Sequence, residues 1–98
     1  MEITGTLVAM TPMAVREYTD RQGEKKSFKE AQVLIDTGLD TYIVEMTGEL
    51  AERVDAGIFG IGDLYTLKID GRVATAKDQS GATRYFAHLE CKKISKLA

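Results

Sequence analysis

The sequence predicts a small all-β domain, a barrel of five strands with one short helix between the third and the fourth. Three observations carry this. Apolar residues alternate with polar ones at a period of two along most of the chain, which is the strand period. Glycine-bearing turns separate the alternating runs. One stretch, residues 48–57, drops the alternation and takes up helical spacing instead.

The first run is Ile3 to Met10, where Ile3, Gly5, Leu7 and Ala9 alternate with Thr4, Thr6, Val8 and Met10. Gly5 inside a strand signals a bulge or a close backbone approach. Pro12 then breaks the ladder, because it has no amide hydrogen to donate. A short run, Val15 to Thr19, leads into Asp20-Arg21-Gln22-Gly23. That quartet suits a type I turn followed by a left-handed glycine. Lys25-Lys26-Ser27 leads out of the turn. The second strand runs from Phe28 to Asp36 with Ala31, Val33 and Ile35 on one face. The third runs from Thr41 to Thr47 and is rich in β-branched and aromatic residues.

In the helical stretch Leu50 and Val54 stand four apart on one face, and Gly57 fits a C-terminal stop. Gly60-Ile61-Gly62-Asp63 is a turn. The fourth strand runs from Leu64 to Ala76, with Gly71 as a second candidate bulge or barrel corner. Asp78-Gln79-Ser80-Gly81 repeats the aspartate–glycine turn. The last strand runs from Thr83 to about Lys92, with Tyr85, Ala87, Leu89 and Cys91 on one face, and Ile94 and Leu97 pack the tail. Three strands, a helix and two strands match the plan of a five-stranded Greek-key OB barrel. An SH3-like barrel, which lacks a helix at this point, and a small sandwich are the alternatives.

Composition sets the outer bounds. A chain of 98 residues makes one domain, 1–98, with 44% hydrophobic residues to build a core. Cys91 is the only cysteine, so no intrachain disulfide forms and nothing points to secretion. The N-terminus has no basic stretch followed by an apolar run, and no segment approaches a membrane span. A cytoplasmic location is the expectation. The net charge of −2 lacks the basic excess typical of nucleic-acid binders, although a local basic stripe works on an acidic protein.

The second half carries a family likeness. Gly48-Glu49-Leu50-Ala51-Glu52 follows a strand, and Gly62-Asp63 precedes one that contains Ile69-Asp70-Gly71-Arg72-Val73. The turn Asp78-Gln79-Ser80-Gly81 is followed by Thr83-Arg84-Tyr85-Phe86 and a closing Lys93-Ile94. This spaced pattern resembles the bacterial single-stranded-DNA-binding proteins. The start, Met1-Glu2-Ile3-Thr4-Gly5, resembles a group of short bacterial OB-like proteins. The likeness favours the OB plan over its alternatives. It implies binding of single-stranded DNA or RNA, and self-association as a dimer or tetramer. The chain has no tryptophan, so stacking would fall to tyrosine and phenylalanine. The acidic tail that such proteins use to recruit partners does not follow the barrel pattern.

OB domains bind strands across the second and third strands and the flanking hairpins. Lysine and arginine meet phosphates, and flat rings stack bases. The first hairpin supplies both, in Arg16, Tyr18, Arg21, Lys25, Lys26, Phe28 and Lys29. Its competing reading is a solvated hairpin, since Glu17, Asp20, Glu24 and Glu30 interleave. The last hairpin supplies Arg72, Lys77, Arg84 and Tyr85, although Tyr85 shares a face with Leu89 and also suits a core position. Tyr42, beside Val44 and Met46, suits either a stacking ring at the groove centre or a core or subunit-interface position.

Catalysis finds little support. His88 is the only histidine and reads as a surface residue with no metal-ligand spacing around it. Cys91 reads as a small buried hydrophobe. Glu49, Glu52 and Asp55 read as a solvated helix face. Gly60-Ile61-Gly62 lacks the third glycine and the helix of a phosphate loop. No catalytic site, metal or cofactor is expected. The leading reading is a single-stranded nucleic-acid-binding module of low sequence specificity. The alternative is a protein-interaction or oligomerisation barrel that binds no nucleic acid.

Overall fold

The computed structural model describes residues 1–97. Its elements are β1 (Glu2–Met10), β2 (Ala14–Thr19), β3 (Lys25–Asp36), β4 (Thr41–Thr47), α1 (Glu49–Asp55), β5 (Leu64–Lys77) and β6 (Thr83–Lys96). Six strand segments stand where five strands were expected, and Pro12 is the reason. β1 pairs with the end of β3 from Thr6 to Met10, and β2 pairs with its beginning from Ala14 to Thr19. The two are halves of one barrel strand, interrupted where proline cannot donate to the ladder.

The sheet order β1-β5-β6-β4-β3-β2 closes on itself because β1 also pairs with β3. Closure between β4 and β6 is parallel and rests on one bridge, Glu45 with Glu90. The barrel is the five-strand OB arrangement with its helix between the third and fourth barrel strands. β3, β5 and β6 each run further than their apolar patterns suggested, because hairpin pairing outlasts the core they cover.

Alternation along each strand decides what is buried. Ile3 and Leu7 of β1, Val33 and Ile35 of β3, and Val44 and Met46 of β4 point inward. Tyr65, Leu67 and Ile69 of β5 and Cys91 of β6 complete the core. α1 presses Ala51 and Val54 against the same cluster and stops at Gly57, whose φ of 72° is left-handed. Phe59 meets Tyr65 edge to face at 5.7 Å, and the Tyr65 hydroxyl accepts the Gly60 amide at 2.8 Å.

Gly5 is a close approach, as its place in the strand suggested. A Cβ there would lie 2.5 Å from the Asp36 carbonyl oxygen. Gly71 is different: it pairs in register with Leu89, and the irregularity falls between Lys68 and Ile69, where Lys92 is left without a partner. The bend follows the extra residue on β6 rather than the glycine on β5.

Two hairpins extend past the barrel, and they stretch the molecule to 45 × 30 × 20 Å. In the β5–β6 hairpin every residue pairs from Ile69–Cys91 out to Lys77–Thr83, yet none beyond Cys91 toward the tip is buried. Tyr85 is therefore not a core residue; it is 72% exposed. Its alternation continues the inward face of β6 beyond the point where a core exists to receive it. No helix among the described residues is long and apolar enough to cross a membrane.

Candidate nucleic-acid interface

Antiparallel partners share a face, so register assigns every hairpin side chain to one side. On the first hairpin Arg16 faces Phe28 and Tyr18 faces Lys26. Continuing along β3, Phe28, Glu30 and Gln32 occupy successive outward positions, and Gln32 pairs with Glu45 of β4. On the second hairpin Arg72 faces His88, Ala74 faces Phe86, and Ala76 faces Arg84. All of these point away from the core and form one continuous outer surface.

That surface has a basic, aromatic lobe on each hairpin. Tyr18 and Phe28 meet edge to face at 5.9 Å, and both rings are close to half exposed. Phe86, 49% exposed, is their counterpart on the second hairpin. Tyr85, the ring that the sequence singles out on this hairpin, lies on the reverse face. Phe86 shares its outward face with Arg72 and Arg84, and its two-residue spacing from Arg84 was the signal in the sequence that would have found it.

The reverse faces hold the other predicted residues. Lys25 and Lys29 share the opposite face of the first hairpin with Val15, and Lys29 pairs with Glu52 of α1. Lys77 shares the reverse face of the second hairpin with Val73 and Tyr85. Arg21 sits in the turn between β2 and β3. Tyr42 points inward beside Val44 and packs against the core, so it is not a ring at the groove centre. The odd–even count along β4 explains the correction, since Ile43 and Glu45 take the outward positions.

Between the lobes lies an acidic floor. Glu45 accepts from His88 Nδ1 at 2.7 Å, and its other oxygen is 3.7 Å from Arg72. Glu30 pairs with Arg16, and Glu90 accepts from the Thr47 hydroxyl at 3.0 Å and lies 3.5 Å from Lys92. His88 is thus half-buried and engaged, rather than a loose surface residue. A cleft of about 350 Å³ opens beside the Pro12 break, lined by Thr11, Arg16, Glu30, Gln32 and Glu45 among others.

The cations differ in how free they are. Lys26 lies 3.6 Å from Asp20 and Arg84 3.4 Å from Asp78. Arg21, Lys25 and Lys77 have no carboxylate partner among the described residues. The turn carboxylates hold the hairpin tips. Asp20 accepts the amides of Gln22 and Glu24, both at 2.9 Å. Asp78 does the same for Ser80 and Ala82. The Ser80 hydroxyl, those amides and Arg84 together hold the Asp78 carboxyl below its ordinary value of 3.8. No group of three or more metal-ligating side chains occurs among the described residues.

No protein-family profile and no curated protein matches the sequence. The fold, by contrast, has clear counterparts. The mitochondrial single-stranded-DNA-binding protein Rim1 of S. cerevisiae superposes with a TM-score of 0.60 at 16% identity, over 99% of this chain and 92% of that one. The second OB-fold domain of replication protein A from Methanococcus maripaludis gives 0.56 at 16% identity, over 98% and 81%. The small single-stranded-DNA-binding protein of Streptomyces coelicolor gives 0.54 at 16% identity, over 98% and 91%. By fold, over nearly its whole length, this protein is an OB barrel similar to those of single-stranded-DNA-binding proteins.

Proposed function

We propose that this protein is a single-stranded nucleic-acid-binding module, acting on DNA and recognising no sequence motif. One observation carries the reading. The outer face of the barrel sets exposed rings, Tyr18, Phe28 and Phe86, on two hairpins that also bear Arg16, Lys26, Arg72 and Arg84. Rings stack bases of any identity, and cations follow the phosphates, so the combination suits a flexible single strand. Arg21, Lys25 and Lys77 extend the positive rim at the tips and reverse faces. The named binding partners of its structural counterparts support the same reading. The protein binds and carries out no chemistry.

The acidic floor adds a constraint on orientation. Phosphates are repelled by Glu30, Glu45 and Glu90 and attracted to the hairpin rims. A bound strand therefore lies with its bases toward the floor and its backbone at the rim. A duplex, whose bases are turned inward, does not meet that requirement.

The test is fluorescence anisotropy with a labelled single strand of mixed sequence, titrated at low and moderate salt. Saturable binding that weakens as salt rises, with a duplex of the same sequence binding more weakly, supports the assignment. Absence of binding at tens of micromolar protein in low salt rejects it. A second reading, a barrel that binds a protein or itself, is favoured by the pairing of Arg16, Lys29 and Arg84 with carboxylates and by exposed Val73 and Tyr85. Sedimentation of the protein alone reads the self-association that this alternative requires.

A further inference from the structure

The cleft beside Pro12 differs from the rest of the outer face. A stacking surface accepts any base, because every base has a flat face. The cleft instead gathers polar side chains of opposite hydrogen-bonding character. Glu30 and Glu45 bring acceptors only, Arg16 brings donors only, and the Gln32 amide brings both. Glu30 gives Oε1 to Arg16, and its Oε2 has no hydrogen-bond partner among the described residues. The exposed Gln32 side chain has none either, since Gln32 is tied to Thr11 only through its backbone.

Position joins the cleft to the rings. Phe28, Glu30 and Gln32 are successive outward residues of β3, each about 7 Å from the next. A base stacked on Phe28 therefore brings its edge, or the base following it, over Glu30 and into the cleft. Pro12 opens the space, because β1 and β2 leave β3 unpaired between them at Ala31 and Gln32 on that side apart from the Thr11 contacts.

We infer that this cleft reads base edges and prefers a base that presents an amino group beside a ring-nitrogen acceptor, cytosine or adenine, over uracil or thymine. The inference rests on the nucleic-acid reading above and adds selectivity to it. Cytosine offers its N4 amino hydrogens to the free oxygen of Glu30 while N3 and O2 accept from Gln32 or Arg16. Uracil has a carbonyl oxygen where cytosine has the amino group. Uracil has one N3 hydrogen to give in place of the two amino hydrogens, so its O4 is left against the second carboxylate of the cleft, Glu45, where lone pairs meet lone pairs. Arg16 pairs with Glu30, and Arg72 and His88 approach Glu45, which favours the outward positions that the two carboxylates take.

The experiment compares oligo-dC with oligo-dU of equal length at pH 8, where cytosine is neutral, by anisotropy on the full chain. The two strands differ at the pyrimidine edge and share backbone and ring size. Cytosine strands should bind at least about fivefold more tightly. In a Glu30→Gln/Glu45→Gln variant of unchanged thermal midpoint the ratio should fall to within about twofold, because glutamine can turn either an acceptor or a donor to the base. Replacing cytosine by N4,N4-dimethylcytosine should abolish the preference on the unaltered protein, which covers a variant that does not fold. Equal or tighter binding of oligo-dU overturns the inference and leaves the function standing if the mixed strand binds. A cytosine preference that survives in the folded variant, or with the dimethylated base, removes the cleft as its source. Failure of all strands to bind rejects the function itself.

Discussion

His88 Nδ1 sits 2.7 Å from Glu45 Oε1, and the pair spans the join at which the barrel closes. β4 and β6 share only one backbone bridge, Glu45 with Glu90, so side chains supplement a junction that main-chain pairing leaves thin. Arg72 approaches the same carboxylate at 3.7 Å from β5. Three strands are thereby fastened by one glutamate on the outer face. A double-mutant cycle of Glu45→Ala and His88→Ala should return a coupling of about 0.5 kcal/mol in chemical denaturation, as expected for a partly exposed pair. A coupling of zero would show that the closure depends on the backbone bridge alone.

Charge on the first hairpin should act on binding and leave stability untouched. Arg21, Lys25 and Lys26 are exposed, and only Lys26 has a carboxylate within 4 Å, Asp20 at 3.6 Å. Replacing all three with alanine should lower single-strand affinity and reduce the slope of log K against log salt by about 2, since each phosphate contact on a single strand contributes about 0.7. The thermal midpoint should stay where it is. An unchanged slope would take the phosphate track off this hairpin.

The rings should separate into two classes. Phe28→Ala and Phe86→Ala each remove an exposed outward ring and should weaken single-strand binding by about 1–3 kcal/mol. Tyr42→Ala should instead act on folding, because Tyr42 packs against the core, and cost about 1–3 kcal/mol in denaturation. Binding by the folded Tyr42→Phe protein should match the parent. The opposite pattern, a binding loss at Tyr42 and none at Phe86, would reverse the assignment of faces.

Gly5 admits no side chain. A Cβ would fall 2.5 Å from the Asp36 carbonyl oxygen and 2.7 Å from Ile35 Cγ2, both fixed by the β1–β3 ladder. Gly5→Ala should destabilise the barrel by about 2–3 kcal/mol, read as a shift in the denaturation midpoint. Gly71→Ala should be mild in comparison, since the nearest atom to a Cβ there is Leu89 Cδ2 at an ordinary 3.7 Å.

Cys91 should be silent until the barrel opens. Burial pushes its thiol up to about 11, only partly offset by a backbone hydrogen bond at Lys93 and reinforced by the neighbouring Glu90 charge. At pH 8 about one molecule in a thousand carries the thiolate. A thiol reagent should therefore label the native protein slowly and the denatured protein at once. Rapid native labelling would mean that β6 opens locally without global unfolding.

Much of this architecture was legible beforehand because it is written at short range. Period-two alternation puts Ala31, Val33 and Ile35 on one face of their strand, the face that the core occupies, and the Asp20–Gly23 and Asp78–Gly81 quartets mark both hairpin tips. The helix between β4 and β5 announced itself through Leu50, Val54 and Gly57. These signals depend on neighbours a few residues apart, which is what local sterics and hydrogen bonding control.

The outer face was decided elsewhere. The cations and rings of the first hairpin were visible in the sequence, but alternation alone does not say which side of a projecting hairpin joins which side of the barrel. That depends on register, and register across 43 residues brought His88 to Glu45. Tyr42 and Tyr85 show the same limit from both directions. One packs against the core and the other is exposed, because burial is set by whether other strands arrive to cover a face. Local sequence thus carried the turns, the helix and most of the strand pattern, with the break at Pro12 dividing one expected strand into β1 and β2. Only the tertiary structure decided that three carboxylates lie between two basic lobes, because it takes closure of the sheet to bring β3, β4 and β6 side by side.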